Sequence, residues 1–184
     1  MKPLKYIFLL LISTLFFSCG KDENFSPIPE ITFERFLFYQ DASGKDTTVD
    51  FVFSLVDGDG DIGFRENEFD NTCGADNFNL YIAYEEKSGT TYRPKKLWIQ
   101  VSEVTPTCDT LLYFDSVQVS FNQRMQYIEP AGNSKGIEAT VTYRMDYTSA
   151  LVLLSQAGRF DFYIRDRANN KSNRIYSADL LINK

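Results

Sequence analysis

The segment DGDGDIGFRENE sets Asp57, Asp59 and Asp61 alternately with glycine at the end of a run of alternating apolar residues. Three carboxylates so close in sequence repel one another unless water solvates them or they share a cation, and hard oxygen donors at this spacing suit Ca2+. Glu68 falls twelfth from Asp57, the place of the bidentate ligand in an EF-hand loop. The sixth place, however, holds Ile62, with Gly63 one place late, and a strand-like run precedes the loop. An EF-hand is therefore excluded. Two readings stay open: a looser calcium site built from Asp57, Asp59, Asp61 and Glu68, and an exposed acidic loop that uses Asp-Gly turns. Asp166, at the end of a late strand, approaches this loop if both lie at one end of a sandwich.

Other chemistries fail on residue supply. The chain has no histidine, so it can form no Ser-His-Asp or Cys-His arrangement and no histidine-ligated zinc site. Two carboxylates alone can hydrolyse a glycoside, but on so acidic a chain the abundance of Asp and Glu singles out no pair. A non-catalytic protein is expected. There is no glycine-rich phosphate loop, and no basic aromatic platform for nucleic acid. Phe, Tyr and Trp make up 15% of the chain, and Tyr81, Trp98 and Tyr163 fall on the strand faces opposite the main apolar series. They either form a stacking surface for a glycan or partner, or cover a second sheet face. Lys95 and Lys96 beside Trp98 suit a protected edge strand.

The N-terminus says where these groups are displayed. Lys2 and Lys5 precede a run from Tyr6 to Phe17 that is apolar apart from Ser13 and Thr14, a signal-peptide h-region too short to span a bilayer. Cys19 follows the small residue Ser18 at the cleavage point. The segment resembles a bacterial lipoprotein signal (residues 1–18), departing from the usual pattern at Phe16, where Leu is commonest. The resemblance implies that Cys19 is lipidated and becomes the first residue of a membrane-anchored protein. An ordinary signal peptide with an incidental cysteine is the other reading. Gly20, Lys21, Asp22 and Glu23 are similar to the export signal of Bacteroidetes-type lipoproteins, which implies the outer face of the outer membrane. A solvated tether over residues 19–30 on a periplasm-facing anchor is the alternative. Loss of Lys2 and Lys5 leaves 17 basic against 25 acidic residues, a formal charge of −8, which disfavours nucleic acid and anionic headgroups as partners.

With Cys19 committed, Cys73 and Cys108 remain as a pair in an oxidising compartment. A disulfide between them, joining two turn-rich segments rather than crossing the core, would stabilise by roughly 4 kcal/mol in the chain-entropy picture. Two free thiols are the alternative.

The elements that must position these residues are strands. From Ile31 onward the dominant period is two. It runs through Val49, Phe51, Phe53 and Leu55; Phe78, Leu80, Ile82 and Tyr84; Leu97, Ile99 and Val101; Val117, Val119 and Phe121; Ile137 to Met145; Phe160, Phe162 and Ile164; and Tyr176, Ala178, Leu180 and Ile182. Turn signals separate the runs, which reads as an all-β sandwich in one domain, residues 31–184. Thr148 to Gln156, short and followed by Gly158, is allowed a single helical turn or a corner. The closing segment GRFDFYIRDRANNKSNRIYSADLLI is similar to the last hairpin of bacterial extracellular Ig-like domains. Asp166, Ala168, Asn169, Asn170 and Ser172 hold that pattern, with Asn170 near the residue that must accept a positive φ. The expected protein is a lipid-anchored Ig-like module that binds a ligand or glycan at the cell surface. The alternative is an accessory subunit of an outer-membrane uptake, secretion or motility assembly.

Overall fold

The structure, a computed structural model, describes residues 25–73, 75–131, 135–146 and 151–184. The signal segment, Cys19 and the first half of the tether lie outside the described residues. Ten strands follow in order: β1 (Glu30–Gln40), β2 (Asp46–Asp57), β3 (Leu80–Ser88), β4 (Thr91–Pro94), β5 (Lys96–Val104), β6 (Thr110–Gln118), β7 (Ile137–Asp146), β8 (Ala157–Ile164), β9 (Ile175–Tyr176) and β10 (Leu180–Leu181). Helical structure among the described residues is one 3-10 turn, Leu151–Leu153, inside the stretch allowed for it. No helix among them is long and apolar enough to cross a membrane.

Every strand pairing is antiparallel. One sheet has the order β1-β2-β7; the other has β10-β8-β3-β4, with β9 also on β8. With β5 and β6 set aside, this is the A-B-E and G-F-C order of an Ig-like sandwich. The fold expected from the alternation is thus the fold observed. Phe51 of the first sheet meets Phe162 of the second edge-on at 4.4 Å between ring centroids, and Phe33, Phe36, Phe53, Phe160 and Tyr84 extend the cluster. Aromatic pairs of this geometry add about 0.5–1.5 kcal/mol each beyond burial. Asn173 stitches the sheets at one edge, accepting from Ile31 N and donating to Ile31 O, both at 2.8 Å. At the other end Asp46 N donates to Asn183 O (2.8 Å) and Asn183 N to Asp46 Oδ2 (2.7 Å).

Three details differ from the alternation. β9 and β10 run along one edge of β8, but Asp161 pairs with Tyr176 while Gly158 pairs with Leu180. The register slips by one residue between them, a bulge that reverses which side chains face inward. Ile175, not Tyr176, therefore packs on the core, whereas Leu180 and Ile182 point inward as expected. Phe78 lies outside β3 and is exposed. Residues of the segment expected as a tether already pack on the sandwich: Ser26 O accepts from Gly58 N at 2.8 Å, and Pro29 is buried.

The β5–β6 pair is the largest departure. Among the described residues its strands form backbone ladders only with each other, because the chain leaves the second sheet at Lys95, whose N–H donates to Tyr84 O (3.1 Å). It returns at Val119, whose O accepts from Tyr84 N (2.9 Å). Phe121 and Gln123 then continue along β3. Leu97, Ile99 and Val101 alternate as expected, but on a ribbon inserted between two segments that flank β3, and Ile99 is exposed.

Candidate functional site

The Asp-Gly loop leaves the end of β2. Asp57 Oδ2 accepts from Gly60 N (2.9 Å) and Asp61 N (3.1 Å), so the first carboxylate closes the turn that presents the other two. The glycines let this turn pass between its neighbours. Gly60 has φ +71° and a Cβ there would lie 2.1 Å from Lys135 O; Gly63 has φ +85° and its Cβ would lie 2.1 Å from Gln126 O. No side chain fits either place. Asp61 faces the β8–β9 turn, its backbone O accepting from Arg167 N (3.2 Å) and its Oδ2 from Ala168 N (3.1 Å). The two loops thus meet at one end of the sandwich. Asp166 occupies that turn itself, accepting from Asn170 N (2.7 Å) and Asn170 Nδ2 (2.8 Å). The positive φ falls on Asn169, one residue before Asn170.

Asp57, Asp59 and Asp61 each offer an oxygen within 4.8 Å of the others. Asp57 is fully buried, and its carboxyl is pushed up to about 7, chiefly by burial and then by the charges of Asp59 and Asp61. Asp61 is raised as well, by burial and then by the Asp166 and Asp59 charges. Glu68 is not brought into the group: its Oε2 accepts from Arg65 N at 2.8 Å and its Oε1 pairs with Arg167. Its twelfth place in the sequence is a coincidence of count.

Tyr81 and Tyr163 are brought together as a cross-strand pair, stacked at 4.8 Å and 6°. Arg165 lies over the Tyr81 ring (4.8 Å) and Lys171 over the Tyr163 ring (5.5 Å), while Tyr81 Oη donates to Asp76 and to Phe78 O. Further along the same sheet Arg159 lies 4.0 Å from Tyr92 and 3.9 Å from Tyr176 and pairs with Glu85. Aromatic rings and cations here cover one another. Trp98 belongs elsewhere, on the β5–β6 ribbon.

The paired register of that ribbon puts Trp98, Gln100, Ser102 and Val104 on one face with Ser116, Phe114, Leu112 and Thr110. Trp98 is 70% exposed, Leu112 63% and Phe114 62%. Apart from Lys96 at its base, this face carries no charge. The opposite face adds exposed Ile99, Leu111 and Tyr113, with Tyr113 Oη donating to Glu103 at 3.0 Å. Sequence reading singled out Trp98 and missed Leu112 and Phe114. Their signal was the unbroken run LLYF, which is apolar on both faces. At the ribbon's tip Cys108 forms the expected disulfide with Cys73 of the β2–β3 connection, Cα to Cα 5.1 Å. Comparisons with protein-family models, with curated proteins and with solved structures yield no match to this chain.

Proposed function

We propose that this chain is a lipid-anchored, non-catalytic docking subunit of the outer membrane, held there through Cys19 and engaging a protein partner through the β5–β6 ribbon. The supporting observation is the ribbon itself: Trp98, Leu112 and Phe114 stand in solvent on a face uncharged beyond Lys96, and neither outer strand edge pairs with another strand among the described residues. Two-stranded ribbons are marginal in water alone, and an unpaired edge offers its N–H and C=O groups to another strand. A disulfide at the tip keeps this one in place. A protein partner fits better than an anionic membrane surface, because Glu103, Asp109 and Asp115 line the ribbon of an already acidic chain. The glycan-binding alternative draws less support, since Arg165 and Lys171 already lie over the rings of Tyr81 and Tyr163.

Site-specific photo-crosslinking in intact producing cells tests this reading. A probe at Leu112 is expected to give one discrete adduct, and a probe at Lys87, on the sandwich, none. The adduct should vanish with Trp98→Ser and Phe114→Ser together, while the melting temperature of the sandwich stays within about 2 °C, since exposed substitutions rarely exceed about 0.5 kcal/mol. Association that survives those changes but is lost with Tyr81→Ala and Tyr163→Ala would move the contact to the sandwich face.

A further inference from the structure

Acidic residues close in sequence specify no ligand by themselves, and what sets the Asp-Gly loop apart is an orphaned oxygen. Asp57 is 0% exposed, its Oδ2 is engaged by two backbone N–H groups, and its Oδ1 meets no donor among the described residues. Asp61 repeats the pattern, with Oδ2 accepting from Ala168 N and a buried Oδ1 without a partner. No arginine or lysine among the described residues pairs with either carboxylate, and Arg167, which flanks the loop, is taken by Glu68. Neither oxygen is exposed and no side-chain cation faces it, so ionising the pair is costly unless a cation is supplied.

We propose that Asp57, Asp59 and Asp61 bind one Ca2+ ion, which ties the end of β2 to the β8–β9 turn. Oxygens within 4.8 Å of one another match the span around a Ca2+ bound at about 2.3–2.6 Å. Backbone hydrogen bonds hold the buried pair in place, and exposed Asp59 opens the site to solvent, whose water completes the six to eight ligands calcium takes. Three carboxylates at a partly open site place the affinity in the range of extracellular modules, about 0.1–1 mM. The ion would act on both sheets, because Asp57 ends a strand of one and Asp61 is bonded to the turn of the other.

The test uses the full chain purified in detergent, with calcium titrated by calorimetry and thermal unfolding followed in 10 mM CaCl2 and in EDTA. One calcium per chain is expected, with a rise in melting temperature of about 3–10 °C in 10 mM CaCl2, a ten- to hundredfold excess over the dissociation constant. Asp59→Asn, at an exposed position outside the turn's hydrogen bonds, should abolish the rise and leave the EDTA value no lower than wild type, because it removes repulsion from Asp57 and Asp61. Asp57→Asn should also abolish it and raise the EDTA value, because the buried charge is gone. Equal melting temperatures in calcium and EDTA with no binding isotherm would overturn the assignment, as would a calcium response that Asp59→Asn retains or a response to magnesium alone.

Discussion

Asp50 shows how a single buried acid is tolerated in this sandwich. Its side chain is almost wholly enclosed, yet Arg144 grips it with Nε at 2.8 Å and Nη2 at 3.0 Å, and Tyr39 Oη donates at 3.1 Å. The Arg144 hydrogen bond first, and then Tyr39, hold the carboxyl below its ordinary value against the opposing effect of burial. A pKa lowered in the folded state gives stability that is complete above the unfolded value near 3.9 and is lost as pH falls through the lowered one. Asp50→Asn should therefore cost about 1–2 kcal/mol at pH 7, the lower part of the range for charged hydrogen bonds because Arg144 is largely solvated. The difference from wild type should shrink toward zero as pH falls through the lowered value. Urea unfolding across pH 2–7 checks it, and a pH-independent difference would mean that packing, not charge, sets the cost. At this scale the sequence is legible where spacing alone brings groups together, as for Asp57, Asp59 and Asp61. It misleads where a partner comes from far away: Glu68 is claimed by Arg167, 99 positions on.

Strand periods show which side chains share a face, and leave open what covers that face. The alternation of Val49 to Leu55 and of Phe160 to Ile164 identifies core strands because both are covered by a second sheet. Leu97, Ile99 and Val101 alternate equally well on a ribbon that leaves the sandwich, since the decision to leave is made by backbone pairing at Tyr84 rather than by any residue of the ribbon. β1 is hidden for another reason: FERFLFYQ carries aromatic residues on both faces, and a bulge between Phe33 and Arg35 breaks its phase. The disulfide was legible from cysteine count, but its role depends on the ribbon. Because the ribbon packs on little besides itself, replacing Cys73 and Cys108 by Ser should loosen it locally. Hydrogen exchange is expected to speed up at least tenfold across residues 97–117 while β2 and β8 keep their protection. The global loss should fall well short of the roughly 4 kcal/mol that loop closure alone suggests. Uniform deprotection of β2 and β8 would instead make the bridge a staple of the whole fold.

Across the whole molecule, the point where the chain enters the sandwich is also the end that carries the Asp-Gly loop. Ser26 O accepts from Gly58 N, and Phe25 lies so close that a Cβ on Gly58 would meet its carbonyl oxygen at 2.1 Å. Gly136, just before β7, packs against the Phe25 ring. The glycine that reads as turn chemistry in the sequence therefore serves a close crossing, which no local pattern announces. Only five residues lie between Cys19 and Phe25, so the two are at most about 20–22 Å apart along extended chain. If Cys19 carries the anchor, pull on it enters the fold at Gly58 and spreads to β2 and, through Gly136, to β7. A chain beginning at residue 30 should then melt about 5 °C below one beginning at residue 24, since it loses a hydrogen bond worth about 1 kcal/mol and a partly buried ring of similar value. Gly58→Ala in the longer chain should reproduce that loss or exceed it, because the strap can no longer seat. Equal melting temperatures for the two chains would mean that residues 25–29 lie on the sandwich without supporting it, and that the load path begins at β1.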